Sequence, residues 1–240
     1  MPHPHTQGRI TVPSYPVHRD ADIVGAITET STNIKTGDMQ QLYIMSVSVA
    51  PHVAVKLGLD TTVCGDCPLR SKASGGSGDC YVATVHGPRV VWTKTKDMTV
   101  EKLRQSTKPI RLGAYGDPAF LPIELIADIV RNRRWTGYTH QWHRRTKKWS
   151  RYLMASIDDK MAKRQRITSK QLKDKAVAKG YRTFRIIRDA SELDSDEIMC
   201  PNYTKGVQCV DCGLCNGSKG ADDKRKNIAI VVHGSSAKLY

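Results

Sequence analysis

Four cysteines near the carboxyl end of the chain have the spacing of metal ligands. They are Cys200, Cys209, Cys212 and Cys215. The last three form two overlapping CxxC pairs, and a CxxC turn lets two thiolates face one ion. His233 follows a strand-like segment, so the fourth ligand is either Cys200 or His233. The pattern predicts a closed metal site within residues 200–233, with zinc as the expected ion and no position free for a substrate.

A second group of three cysteines surrounds a Gly/Ser-rich loop. It consists of Cys64, Cys67 and Cys80. These thiols could bind a metal with a fourth ligand such as His86 or Cys200, leave one coordination position open, or be buried free thiols. Both groups also suit iron–sulfur clusters, and three ligands with an open iron position suit S-adenosylmethionine radical chemistry, although its usual CxxxCxxC spacing is absent. Seven clustered cysteines favour a reducing cytoplasm over a disulfide framework.

Two aspartates, Asp117 and Asp158, follow predicted strands. Two carboxylates in one site can divide the roles of nucleophile and general acid or base, if their surroundings separate their pKa values. Asp117 belongs to a Gly-Asp-Pro turn, and Asp158 is also a favoured helix N-cap. Because both come where predicted strands end, we expect them to be catalytic.

The segment GYTHQWHRR combines aromatic, amide and imidazole groups with a basic run. Aromatic rings stack on bases, polar side chains read base edges, and cations hold phosphates. The expected substrate-binding residues are Tyr138, His140, Gln141, Trp142 and, on a later strand, Arg185. The residues expected to hold the nucleic-acid backbone are Arg144, Arg145, Lys147 and Lys148.

The charge of the chain indicates a polyanionic partner. Its 240 residues carry 38 Lys and Arg against 23 Asp and Glu, a formal net charge of +15. Such an excess is typical of nucleic-acid-binding proteins, although the sequence does not distinguish DNA from RNA. No apolar segment is long enough to span a bilayer, and the polar, Pro-rich start does not resemble a signal peptide, so no membrane partner is expected.

The hydrophobic pattern alternates between strands and helices. Strands are predicted at 41–50, 109–116, 136–142, 152–158, 181–187 and 227–234. Helices are predicted at 98–106, 121–134 and 168–179, the last ending at Gly180. This alternation predicts the α/β class, as a small or incomplete (β/α) barrel with a cysteine-rich metal-binding insertion near the carboxyl end. A flexible arm of residues 1–20 would precede a single domain of residues 21–240.

Two resemblances follow from these motifs. The order CxxC…C-Tyr, GDP, GYTHQW, a strand ending in Asp, and CP…CxxCxxC resembles a family of phage-encoded gene products over roughly residues 60–234. RYLMASIDD (151–159) and AKGYRTFRI (178–186) resemble a segment of the tRNA-guanine transglycosylases. That superfamily is a zinc-bearing (β/α) barrel that exchanges guanine for a 7-deazaguanine with two aspartates, and its phage relatives act on DNA.

The second resemblance implies a zinc bound in the order Cys209, Cys212, Cys215 and His233. The family's nucleophilic aspartate stands where this chain has Arg185, so Asp117 and Asp158 would have to supply both carboxylates. The sequence thus predicts a DNA guanine transglycosylase in the host cytoplasm, with a 7-deazaguanine base as its small substrate. The alternatives are an iron–sulfur enzyme that modifies nucleic acid and a zinc-stapled module that only binds it.

Overall fold

The computed structural model describes residues 13–100, 105–233 and 237. In this part of the chain nine strands form one sheet, in the order β1-β2-β3-β4-β5-β6-β7-β9-β8. The strands are β1 (Ser14–Arg19), β2 (Ile23–Thr28), β3 (Gln40–Ser46), β4 (Ile110–Tyr115), β5 (Trp135–Thr139), β6 (Met154–Ile157), β7 (Thr183–Ile187), β8 (Glu197–Met199) and β9 (Asn227–Val231). The first three strands pair antiparallel, and all later pairs are parallel.

The predicted α/β class is confirmed, but the sheet is open. Among the described residues β1 and β8 are its two edges, and no hydrogen-bonded pairing joins them into a closed barrel. From β3 to β7 each strand lies beside the next one in the chain, because helical crossovers return the chain to the same edge of the sheet. The carboxyl ends of these strands therefore meet along one edge, where loops can assemble a site.

Short helices connect the strands. They are α1 (Pro51–Leu57), α2 (Thr61–Cys64), α3 (Gly87–Thr95), α4 (Ile123–Val130), α5 (Asp159–Arg164), α6 (Ser169–Ala178), α7 (Pro201–Lys205) and α8 (Cys209–Cys212). Two of the predicted helices are present as α4 and α6. A capping box between Thr168 and Gln171 starts α6, and Gly180, with a φ of +90°, follows its end. None of the helices in the described ranges is long and apolar enough to cross a membrane.

The two faces of the sheet bury different clusters. Ile110 and Leu112 of β4 belong to the main core, together with the buried face of α4. Side chains alternate along a strand, so Arg111 between them points to the opposite face. That face carries a smaller cluster in which Met154 and Ile228 pack with Cys200 and Cys215.

The four-cysteine segment (residues 200–215) bridges distant parts of the sheet. The N–H of Cys200 donates to Ala229 of β9, and the carbonyl of Cys215 accepts from Gly137 of β5. The N–H of Cys209 donates to the Lys35 carbonyl, in the loop before β3, at 3.0 Å. The segment therefore connects the last strands of the sheet to the first parallel one.

Two sequence-based boundaries differ from the structure. The predicted arm of residues 1–20 includes β1, which pairs with β2 and buries Val17 in the main core; residues 1–12 lie outside the described ranges. Four residues of the predicted helix at 98–106, 101–104, also lie outside them. Residues 98–100 are not helical, and the helix in this part of the chain is the earlier α3, which begins where Pro88 favours a first turn.

Candidate active site

Three polar side chains follow three neighbouring parallel strands. Asp117 comes two residues after β4, His140 directly after β5, and Asp158 directly after β6. Since these strands pair in the order β4-β5-β6, their carboxyl ends bring the three residues to one edge of the sheet. The prediction that both aspartates lie at strand ends is confirmed, but the two carboxylates have different surroundings.

The carboxylate of Asp117 has a structural role. Its side chain is buried, and Oδ1 accepts from the N–H of Ala119 at 3.0 Å. Oδ2 accepts from Thr139 Oγ1 at 3.0 Å and from the N–H of His140 at 2.8 Å. Burial raises the pKa of Asp117, and these hydrogen bonds oppose that shift. The carboxylate joins the turn after β4 to the end of β5, and both oxygens are occupied by that task.

Asp158 and His140 form a pair with free polar atoms. Asp158 is fully buried, and its Oδ1 caps α5 by accepting from the N–H of Met161 at 2.9 Å. Oδ2 lies 3.9 Å from Nε2 of His140, and within the described residues neither atom has a hydrogen-bond partner. Burial also raises the pKa of Asp158, although the imidazole opposes the shift. Two buried polar atoms that face each other without protein partners call for a water, an ion or a ligand to satisfy them.

The first cysteine group lies beside this pair. Burial disfavours the imidazolium of His140, but negative charge on Cys67, Asp158 and Asp117 outweighs burial and raises the pKa of His140 to about 10. Burial raises the pKa of Cys64 well above its usual value, and the charges of Cys67 and Cys80 add to the shift. The three thiols are therefore near enough to influence one another electrostatically.

His140, rather than the predicted His86, is the imidazole near these thiols. His86 is exposed at the start of α3. The N–H of Asp117 donates to Val63 at 2.8 Å, so the residue before Cys64 is bound to the same edge of the sheet. The sequence pattern could not show this, since residues 64 and 140 are far apart along the chain.

Two cavities lie on either side of Asp66, which stands between the first two cysteines of the group. The first, of about 410 Å³, is lined by Thr61, Gly65, Asp66, Phe120, Gln141, Arg144 and Arg145. The second, of about 420 Å³, is lined by Asp66, Pro68, His143, Met161, Arg164 and Gln165. Oδ2 of Asp66 accepts from His143 Nε2 at 3.0 Å and from Arg144 Nε at 2.8 Å. Three arginines thus surround cavities of a size that suits small ligands.

The predicted base pocket is not formed as one pocket. Gln141 lines the first cavity, where its amide donates to the Cys64 carbonyl at 3.1 Å. Trp142 is buried in the core and donates to the carbonyl of Ser156. Tyr138 lies on the opposite face of the sheet, 4.5 Å from the ring of Phe184. The prediction extended strand alternation to residue 142, whereas β5 ends at Thr139, and a turn then redirects the side chains.

Arg185 does not face the candidate site. It lies on β7 and is nearly fully buried, where its guanidinium donates to both carboxylate oxygens of Glu197 at 2.8 and 2.5 Å. A further donor reaches the Glu192 carbonyl. An arginine with these partners has a structural role, and the structure does not bring Arg185 to the candidate site; substrate binding by Arg185 stays an untested prediction.

The predicted backbone-binding residues divide into two pairs. Arg144 and Arg145 line the first cavity, and the guanidinium of Arg145 lies 5.3 Å from the centre of the Phe120 ring. Lys147 and Lys148 are exposed on the 3₁₀ turn Lys147–Arg151 and line neither cavity. The prediction that these two lysines hold the nucleic-acid backbone stays untested.

The four cysteines of the carboxyl-terminal segment are near one another. Burial raises the pKa of Cys215 to about 12, and negative charge on Cys200, Cys209 and Cys212 acts in the same direction. His233 is exposed and uses its ring elsewhere, with Nδ1 near the Val231 carbonyl and Nε2 2.9 Å from Lys35 Nζ. The structure thus groups Cys200, and not His233, with the other three cysteines.

Neither cysteine group has the geometry of a metal site as it stands. In residues 13–100, 105–233 and 237, no three His, Cys, Asp or Glu side chains are placed so that one ion could be held between them. Binding would therefore require the thiols to rotate toward a common centre. Cys80 is exposed and follows a glycine-rich stretch, residues 75–78, so its side chain has room to move.

Sequence reasoning missed several residues of this edge. Arg164 donates from its guanidinium to the carbonyls of Asp66 and Gly75, and nothing in its helix pattern signalled that role. The Asp66–His143 contact was not expected either, although an aspartate within a CxxC was a visible signal. The two resemblances drawn from the sequence remain predictions, because comparisons with family models, with curated proteins and with solved structures found no match to this chain.

Proposed function

We propose that the chain is an enzyme that modifies nucleic acid at the carboxyl edge of its sheet, with an iron–sulfur cluster on Cys64, Cys67 and Cys80. The observation that carries this proposal is the convergence of Cys67 with His140 and Asp158 after two adjacent parallel strands. Parallel α/β sheets bind their ligands at this edge.

The local chemistry fits a bound cluster. Thiolates that raise one another's pKa repel each other, and a cationic group between them would relieve that repulsion. Nε2 of His140 and Oδ2 of Asp158 are buried polar atoms left without partners beside the thiols. Three cysteines leave one iron position without a protein ligand, and a cluster of that kind supplies one-electron chemistry with S-adenosylmethionine.

The protein's own contribution would be to bind and orient the substrate. Oδ1 of Asp158 caps α5, and Oδ2 faces Nε2 of His140 at 3.9 Å, so a polar group of the substrate would bind between the two atoms. The neighbouring negative charges raise the pKa of His140 and so favour a protonated imidazole, which would donate a hydrogen bond or a proton to a bound base. Asp117 would hold the peptide of His140 in place through its hydrogen bond to the His140 N–H.

Charge supports nucleic acid as the substrate. The formal net charge is +15, and the two cavities at the catalytic edge are flanked by Arg144, Arg145 and Arg164. A base would have to leave a duplex, or come from a single strand, to reach a cavity of about 410 Å³. The arginines would then hold the phosphates on either side of the extruded nucleotide.

The four-cysteine segment suits a structural zinc. Four cysteines make a closed site, and this segment joins β9 to the loop before β3. Strand order that follows chain order is the order found in (β/α) barrels. We therefore propose that the sheet is an incomplete barrel and that the segment spans the gap between its first and last parallel strands.

A guanine transglycosylase acting on DNA is the second candidate. It is favoured by the free oxygen of Asp158 beside an imidazole and by the resemblance of residues 151–159 and 178–186. A two-aspartate mechanism would also need Asp117, whose oxygens are occupied by three hydrogen bonds. Because the Asp117 carboxylate is already hydrogen-bonded in this way, we rank the exchange of guanine for a 7-deazaguanine below the cluster-dependent reaction.

The deciding experiment is metal and sulfide analysis of anaerobically purified wild type, Cys67→Ser and Cys212→Ser. We expect iron with labile sulfide and about one zinc per wild-type chain. Cys67→Ser should lose the iron and keep the zinc, and Cys212→Ser should do the reverse. Zinc without iron in the wild type would contradict the cluster and favour the transglycosylase.

Activity is tested separately from metal content. Asp158→Asn and His140→Gln should lower base modification of DNA or RNA by about 10²–10⁴-fold, the usual contribution of a positioned acid or base. Nucleic-acid affinity should be unchanged in both. Asp128→Asn, at an exposed ion pair on α4, is the matched control. If the wild type bound nucleic acid but modified no base, the result would instead indicate a non-enzymatic module that only binds nucleic acid.

A further inference from the structure

Arg111 is a half-buried arginine that no carboxylate neutralises within the described residues. Its guanidinium donates to the hydroxyl of Tyr81 at 2.5 Å, and its buried Nε has no hydrogen-bond partner within the described residues. In the same ranges no carboxylate forms an ion pair with it, unlike Arg185, which is paired with Glu197. A guanidinium is always charged, so a partly buried one that no carboxylate neutralises favours the binding of an anion.

Aromatic side chains surround this cation. Arg111 pairs in register with Thr136 on β5, which places Tyr138 on the same face of the sheet one step further along. The ring of Tyr138 packs on Phe184, and Tyr43 on β3 is close enough for the charge of Arg111 to influence its hydroxyl. The guanidinium of Arg111 thus lies near the phenol groups of Tyr43, Tyr81 and Tyr138.

Tyr81 connects this cation to the first cysteine group. It directly follows Cys80 in the chain, and 70% of its surface is exposed. Its hydroxyl oxygen accepts from Arg111, which leaves the hydroxyl hydrogen free to donate to a ligand. Cys209 of the other cysteine group also lies near Arg111. The cation therefore stands between the two groups.

We infer that Arg111 and Tyr81 form a phosphate-binding subsite that holds a backbone phosphate of the nucleic acid. The inference rests on the proposed function, since it identifies where the substrate backbone would cross the sheet face. A guanidinium fork with an adjacent hydroxyl donor matches phosphate oxygens. The exposed ring of Tyr81 adds a surface on which the neighbouring base can stack. The excess of positive charge on the whole chain favours phosphate over a carboxylate.

The test compares wild type with Arg111→Gln in binding to a fluorescent single-stranded oligonucleotide over a range of salt concentrations. Loss of one phosphate contact should weaken binding uniformly across sequences and reduce the slope of log K against log salt by about 0.7. Arg131→Gln, at the exposed end of α4, is the matched control and should leave the slope unchanged. Thermal unfolding should show no loss of stability in Arg111→Gln, because no ion pair is broken.

A second measurement separates this inference from the proposed function. If wild type does not bind nucleic acid, the proposed function fails, and ³¹P NMR line broadening of inorganic phosphate then tests the subsite alone. Broadening that is present in wild type and absent in Arg111→Gln supports the subsite. The subsite would be overturned if wild type and Arg111→Gln bound the oligonucleotide with equal affinity and equal salt dependence. If wild type did not bind nucleic acid, the absence of phosphate line broadening in wild type would overturn it.

Discussion

Replacing Asp117 with alanine should destabilise the protein rather than only inactivate it. The change leaves the buried N–H groups of Ala119 and His140 without an acceptor, together with the hydroxyl of Thr139. Each stranded buried group costs ~1–3 kcal/mol, although the hydroxyl can rotate toward another acceptor. Relief of the carboxylate's burial, which raises the pKa of Asp117, offsets part of the loss. We expect the free energy of unfolding to fall by about 2–4 kcal/mol.

Urea unfolding followed by circular dichroism measures this difference. The midpoint should fall while the slope with urea stays constant, since the surface exposed on unfolding does not change. Asp117→Asn should lie between alanine and wild type, because its amide keeps one acceptor oxygen. Asp128→Ala, which removes an exposed ion pair, should change stability by less than about 0.5 kcal/mol. If Asp117→Ala were as stable as Asp128→Ala, the structural role given to Asp117 would be refuted.

Three further predictions concern stability away from the candidate site. The side chain of Lys173 is 3% exposed and donates to Asp194 and Asp196. Lys173→Met should therefore lower the free energy of unfolding, measured with urea, by about 3 kcal/mol. Nucleic-acid affinity should be unchanged. Burial opposes ionisation of Asp194, but its hydrogen bonds prevail and its pKa is lowered. This carboxylate therefore stabilises the fold above its ordinary pKa of about 3.9, and stability should fall as pH drops through the lower folded value. Gly37 has a φ of +69°, and a Cβ added there would lie 2.7 Å from Val210 of the four-cysteine segment. Gly37→Ala should therefore lower the melting temperature and increase the rate of proteolysis within that segment.

The sequence predicted the parallel half of the fold better than its edges. The six predicted strands are present as β3, β4, β5, β6, β7 and β9, because each is a short apolar run between turn residues. β1 was missed because Pro16, His18 and Arg19 make it look like a surface arm, and it is held by pairing with β2. β8 has only three residues and depends on its neighbour β9, so no local signal marks it.

The site was predictable in position but not in detail. Strand ends were enough to place Asp117, His140 and Asp158 together, since parallel strands share an edge. Distances across that edge depend on loops that return from far along the chain. The approach of Cys67 to His140 and the placement of Tyr81 over Arg111 are contacts of this kind. No spacing rule within the sequence contains them.

The two aspartates show that position at a strand end does not decide a role. Asp117 and Asp158 are both buried, both have a raised pKa, and both accept a hydrogen bond from a following turn or helix. What separates them is the second oxygen. In Asp117 that oxygen accepts two hydrogen bonds from the end of β5, whereas in Asp158 it faces the imidazole of His140 without a partner. A carboxylate whose two oxygens both accept hydrogen bonds holds a loop in place. A carboxylate with an unpartnered oxygen that faces an imidazole beside thiols can take part in chemistry. In the proposed enzyme the reacting groups would therefore be Asp158 and His140, and Asp117 would act through the backbone that it fixes.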